Sequence, residues 1–138
     1  AITAQVPNLE IVISSTWRLG ETVESFQRIL AVRGVNGKVV GLTPRLRLST
    51  DFSAPRGCEI ADYLHHFLRE YWPNHDEMTM AEEYEWRKGY PYSYLILDDD
   101  SDMLYNQRRN FIRTSTQRGL QPYHIKKAVK ILNTPIYN

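Results

Sequence analysis

The feature that most constrains the fold is an alternation of short apolar runs with amphipathic stretches. Glu10 to Ser14 and Lys38 to Leu42 have the aliphatic, β-branched composition of buried strands. Between them, Glu21 to Arg33 spaces its apolar residues three and four positions apart, as a helix packed on one face does, and Gly34 is predicted to end that helix. The sequence therefore opens with a predicted strand, helix and strand.

The same alternation continues to the end of the chain. A helix is predicted to begin near Arg56 and end before Pro73, and a terminal helix is predicted from Pro122 to Leu132. Two more strands are predicted at Tyr94 to Leu97 and Phe111 to Thr114. Strands alternating with helices predict an α/β fold, a three-layer αβα, Rossmann-like arrangement around a mostly parallel sheet.

Length and composition limit the class of protein. The 138 residues suit one domain, with residues 73–91 predicted to be an insertion into it. Hydrophobic residues make up 42% and charged residues 24%, which excludes disordered and fibrous chains. No apolar run approaches the roughly 20 residues of a membrane span, so no membrane partner is expected. The single cysteine, Cys58, favours a reducing cytoplasm.

The net charge of +1 gives no overall nucleic-acid footprint, although local basic patches remain open.

Small polar residues follow the first predicted strand. Ser14 and Ser15 stand where ligands bind in open α/β sheets, and hydroxyl and backbone N–H groups there suit a phosphate. The alternative is a polar turn that caps the following helix.

An acidic run follows the third predicted strand. Asp98, Asp99 and Asp100, with Asp102 nearby, repel one another unless solvent or a cation intervenes. Their oxygen atoms suit Mg²⁺, and the alternative is a solvated acidic turn.

Arg56 stands at a helix start, where the helix dipole does not favour a positive charge. A cation in that position could reach a phosphate, and the alternative is a surface arginine.

Four segments in order resemble a known family. Residues 11–18 (IVISSTWR) resemble the "IV(I/L)SSSWR" segment of HAD-like domains (the haloacid dehalogenase superfamily), of the small type associated with RNA-repair proteins and common in phages. Residues 41–44 and 56–64 are similar to that group's "G-T-P … R-G-x-E-I-x-x-W-L". Residues 94–103 (YLILDDDSDM) resemble its acidic motif, and residues 119–132 resemble its ending.

The resemblance implies roles for the matching residues. It gives Ser14 and Arg56 catalytic roles on the phosphate. Ser15, which follows Ser14, is also expected to contact the phosphate, and Arg18 is the alternative cation if Arg56 lies at the other end of the sheet. It implies that Asp98 and Asp99 hold Mg²⁺ and that Asp102 assists through water. The chemistry implied is a Mg²⁺-dependent phosphohydrolase acting on a phosphomonoester, either a phosphorylated small molecule or a nucleic-acid end.

One departure from the family bears on activity. The family begins with a strand ending in D-x-D-G, which supplies the nucleophilic Asp and the acid/base Asp, yet Ala1 to Leu9 contain no Asp. The domain is therefore expected to be incomplete at its N-terminus, to lack its first, central strand, and to be an inactive phosphatase as written. A missing segment or a second chain could complete the sheet. The alternative is a non-catalytic module that binds phosphate or a protein.

Overall fold

The structure, a computed structural model, describes residues 1–47, 49, 52–70, 75–89 and 92–136. The chain divides into two compact units, Ala1–Tyr63 and Leu64–Asn138. The elements of the described residues, in chain order, are α1 (Ile2–Gln5), β1 (Glu10–Ile13), α2 (Val23–Val32), β2 (Lys38–Leu42), α3 (Arg56–Glu70), α4 (Met80–Gly89), β3 (Ile96–Asp98), β4 (Phe111–Arg113) and α5 (Pro122–Leu132).

The first unit is built on two parallel strands. β1 pairs with β2 from Glu10 opposite Lys38 to Ile13 opposite Leu42, so both strands end at the same edge. Helix α2 packs against β2 and buries Phe26, which is 4% exposed.

A side chain of α2 also fixes the start of β2. Gln27 donates from Nε2 to the Gly37 carbonyl at 2.8 Å and accepts the Val39 N–H at 2.7 Å. The helix therefore holds the strand by hydrogen bonds as well as by apolar contact.

The ends of α2 follow from local sequence. Thr22 Oγ1 accepts the Ser25 N–H and Ser25 Oγ accepts the Thr22 N–H, a reciprocal cap that satisfies two otherwise unpaired donors. Gly34 follows the helix at φ 75°, a left-handed conformation that glycine adopts without strain. The prediction that Gly34 ends this helix is confirmed.

The second unit contains the other parallel pair. β3 pairs with β4 from Ile96 opposite Phe111 to Asp98 opposite Arg113. Ile96 and Ile112 are buried on these strands, at 6% and 2% exposure.

The α/β class is confirmed, with short parallel strands between helices. The described strands form two two-stranded sheets, so some strands of a complete Rossmann-like sheet are lacking from these residues. The predicted bounds are close, although β3 begins two residues later and β4 ends one residue earlier. Helix α1 was not predicted. It buries Ile2, but four residues are too few to show a helical period.

Two predictions about domain organisation stay predictions. α4 occupies much of residues 73–91, but Pro73 and residues 74, 90 and 91 lie outside the described residues. The single domain and the insertion are therefore untested. No helix in the described ranges has the length and apolar character that crossing a membrane requires.

Gly41 of β2 lies against Tyr63 of α3. A Cβ at Gly41 would come within 2.9 Å of two Tyr63 ring carbons and closer still to the hydroxyl. Gly41→Ala should therefore lower the free energy of unfolding by about 1–3 kcal/mol through overpacking. Denaturant unfolding measures this, and the loss should shrink when Tyr63→Phe removes the nearest atom. An equal loss in both backgrounds would contradict the contact.

Candidate functional site

Two hydroxyl groups meet where β1 and β2 end. Ser14 follows β1 and Thr43 follows β2, and the Thr43 N–H donates to the Ile13 carbonyl at 2.9 Å. Thr43 Oγ1 and Ser14 Oγ are hydrogen-bonded at 3.3 Å. Either hydroxyl can be the donor of this pair, so one O–H is left for another acceptor at the sheet edge where α/β proteins bind ligands.

Arg18 holds the backbone at this edge. It ends a 3₁₀ turn, Thr16–Arg18, and is only 6% exposed. Its guanidinium donates to four backbone carbonyls at 2.9–3.2 Å, those of Ser14, Ser15, Thr43 and Pro44. One side chain thus joins the segment after β1 to the segment after β2.

The fifth acceptor of Arg18 is a carboxylate. Arg18 Nη2 lies 2.6 Å from Glu59 Oε2, and the two side chains are 5% and 9% exposed. The same oxygen accepts the Leu46 N–H at 3.1 Å. Glu59 lies in the first turn of α3, where a negative charge interacts favourably with the helix dipole. The ion pair therefore ties the start of α3 to both strand ends.

The structure groups several residues that were predicted to bind phosphate. Ser14, Ser15 and Arg18 belong to one cluster, and Arg56 begins the helix that carries Glu59. Five hydrogen bonds engage all five N–H groups of the Arg18 guanidinium with protein acceptors. A direct contact between Arg18 and phosphate stays a prediction, whereas its role in holding the backbone is seen in the structure.

Ser14 is not the cap of the long helix that follows it. Thr22 caps α2, and Ser14 takes part in the hydroxyl pair instead. The alternative of a helix-capping turn therefore does not apply to α2.

The acidic run begins on the last residue of β3 and continues into a turn. Asp98 is half-buried, and its Oδ1 accepts the Asp100 N–H at 2.9 Å. Its carbonyl accepts the Thr114 N–H at 2.8 Å, and the Asp99 carbonyl accepts Arg113 Nε at 3.0 Å. The ends of β3 and β4 are thereby joined around the carboxylates.

These carboxylates offer hard oxygen donors, which suit Mg²⁺. Among the described residues, however, no three His, Cys, Asp or Glu side chains are grouped to hold a metal ion. Metal binding by Asp98, Asp99 and Asp102 stays a prediction. So does the grouping of Ser14 and Arg56, which lie in the first unit, with Asp98 and Asp99, which lie in the second.

Sequence reasoning missed two residues of the cluster, Thr43 and Glu59. Thr43 had a readable signal, because it follows β2 as Ser14 follows β1, and parallel strands end at a common edge. Glu59 had a signal as well, because it matches the Glu of the R-G-x-E-I segment that residues 56–64 resemble.

The sequence is similar to a described protein family. A family model described as "HAD domain in Swiss Army Knife RNA repair proteins" matches residues 1–125. No curated protein and no solved structure matches the chain.

Arg18→Met and Glu59→Leu should each lower the free energy of unfolding by about 3–5 kcal/mol, because each leaves a buried charge without its partner. The double variant should lose clearly less than the sum of the two single losses. Urea unfolding of the four proteins measures the coupling. If the two losses of unfolding free energy simply add in the double variant, the ion pair between Arg18 and Glu59 is contradicted.

Proposed function

Because the chain belongs to the family of HAD domains found in Swiss Army Knife RNA repair proteins, we propose that it forms a Mg²⁺-dependent phosphohydrolase site for a phosphomonoester at a nucleic-acid end. The family gives the chain a HAD-type, phosphoesterase-related function. We further propose which metal, substrate and residues this site uses.

The observation that carries the proposal is the hydroxyl pair of Ser14 and Thr43. Thr43 orients Ser14 by donating to its Oγ, and the Ser14 O–H then donates to a phosphate oxygen. Arg18 holds the carbonyls on both sides of this pair, so it acts as a positioning residue. Hydrogen bonds already aligned to a charged oxygen stabilise a transition state without reorganisation.

Arg56 supplies positive charge in this proposal. It is half-buried in the first turn of α3, the turn that Glu59 fixes through Arg18. Its guanidinium would neutralise charge on the phosphoryl oxygens. Ser15 lies beside Ser14, with its carbonyl held by Arg18.

Asp98 and Asp99 would hold Mg²⁺, with Asp102 contributing through water. When bound, the ion supplies neutralisation of phosphate charge. The N–H of Asp100 fixes one carboxylate oxygen of Asp98, which orients that group in advance.

The nucleophile is proposed to come from outside residues 1–138. Asp98 and Asp100 have a D-x-D spacing, but they are joined to each other in a turn. Among the described residues β1 pairs with β2 alone, so a further strand could pair along its other edge. That strand, from a missing segment or a second chain, would carry the D-x-D-G motif.

We expect the product of the complete reading frame to release phosphate from oligonucleotides with 5′- or 3′-phosphate ends in Mg²⁺, and residues 1–138 alone to release none. Ser14→Ala should lower kcat/KM about 10- to 100-fold by removing a hydrogen bond to a charged group. Ser53→Ala, which changes an exposed serine, is the matched control. A complete product that binds phosphorylated ends without turnover would favour the non-catalytic module.

Residues 1–138 alone should bind Mg²⁺ weakly. Mg²⁺ keeps most of its waters when one or two carboxylates hold it. Calorimetry should therefore give a dissociation constant in the millimolar range. Asp98→Asn and Asp99→Asn should each weaken Mg²⁺ binding further. Asp76→Asn, in the 3₁₀ turn His75–Glu77, should leave it unchanged. Tight, stoichiometric binding would contradict this ligand set.

A further inference from the structure

The charge of the chain is distributed unevenly. Residues 103–138 contain seven Lys or Arg and no Asp or Glu, although the whole chain has 17 basic and 16 acidic residues. All seven basic side chains are exposed. Within the part of the chain that the structure describes, no ion pair involves any of them. Among the described residues, therefore, no acidic side chain neutralises the positive charge of this segment by direct contact.

Three of these residues form a stripe on α5. The three lysines follow Tyr123 by three, four and seven positions, which places Lys126, Lys127 and Lys130 on the same helical face as the tyrosine. Tyr123 is 73% exposed. We call these four residues the α5 basic stripe.

The turn before β4 repeats the combination of an aromatic ring with positive charge. Tyr105 is 80% exposed, and the Arg108 guanidinium lies 4.0 Å from the centre of its ring. Arg108 also donates to the Tyr105 carbonyl at 3.0 Å, which holds the guanidinium over the ring. Arg109 follows as a second exposed cation.

Arg113 extends the positive charge to the acidic edge. It ends β4, is exposed, and donates through Nε to the Asp99 carbonyl. Arg113 therefore places a cation at the strand end where the proposed metal ligands begin.

We propose that the α5 basic stripe, the Tyr105–Arg109 turn and Arg113 bind a single-stranded nucleic acid through its phosphates and unstacked bases. This deepens the proposed function by assigning residues to the strand rather than to its phosphorylated end. Proteins that bind single strands combine exposed aromatic rings, on which bases stack, with cations that contact the phosphates.

The packing of α5 favours this ligand over an anionic membrane. A helix that inserts into a bilayer surface needs a free apolar face. On α5, Ala128 has no exposed surface and His124 is 8% exposed, so the side opposite the stripe is already packed. An acidic protein would match the charge but would not require the exposed rings.

The test is binding of the 138-residue chain to a labelled single-stranded oligoribonucleotide, measured by fluorescence anisotropy in EDTA. The triple variant Lys126→Gln/Lys127→Gln/Lys130→Gln should bind roughly 10- to 100-fold more weakly at about 0.1 M salt. Its slope of log K against log salt should fall by about 2, since each lost phosphate contact on a single strand contributes about 0.7.

A matched control separates the stripe from total charge. The triple variant Arg28→Gln/Lys38→Gln/Arg47→Gln also removes three positive charges, but from exposed residues of the first unit. It should change the affinity by less than about threefold because none of these three residues belongs to the segment that is proposed to bind the strand. Equal losses in both triple variants, or no binding by the original chain, would overturn the proposal. Circular dichroism melting checks that both variants fold.

Two variants at Tyr123 test whether a base stacks on its ring. Tyr123→Phe should keep the affinity, and Tyr123→Leu should lower it at least about fivefold. No difference between them, together with equal binding to heparin, would leave only non-specific polyanion binding and overturn the assignment. Tighter binding to phosphatidylserine vesicles than to RNA would also overturn it. Because EDTA removes Mg²⁺, this result stands or falls separately from the phosphatase assay.

Discussion

The buried ion pair between Arg18 and Glu59 is the interaction on which the candidate phosphate site depends. Removing two charges from water is costly, and the cost is offset only where every donor and acceptor is satisfied. Here the Arg18 N–H groups reach five protein acceptors, and the Glu59 oxygen that accepts from Arg18 also accepts the Leu46 N–H. The two strand ends and the first turn of α3 are therefore held as one structure.

The hydrogen bonds of Arg18 explain how the loop segments after β1 and β2 are held in place. The carbonyls that Arg18 binds belong to residues following two different strands, and each would otherwise need solvent or another partner. With them held inward, the hydroxyls of Ser14 and Thr43 are left side by side at the edge. The second unit orders its own edge differently, through Arg113 and the backbone around Asp98 and Asp99.

Much of the secondary structure and part of the site could be predicted from the sequence. The bounds of α5 and β2 are as predicted, because their apolar spacing and their Pro or Gly signals are local. Ser14, Ser15 and Arg18 were predicted to bind phosphate, and the structure places them in one cluster, although phosphate binding itself stays a prediction. The contacts of Arg18 were not predictable, since Thr43 and Glu59 are 25 and 41 positions away from it.

The sequence by itself determined an α/β chain of parallel strands, through its hydrophobic periodicity, its turn residues and the order of its motifs. The order of its residues also determined where along the chain positive charge is concentrated. These properties depend on neighbouring residues. Only the tertiary structure decided which polar groups are buried. Arg18 resembles an exposed residue in the sequence, yet it is 6% exposed and its guanidinium is paired with a carboxylate 41 positions away, that of Glu59. Burial of a polar group depends on partners that folding brings to it from elsewhere in the chain, and a local pattern carries no record of them.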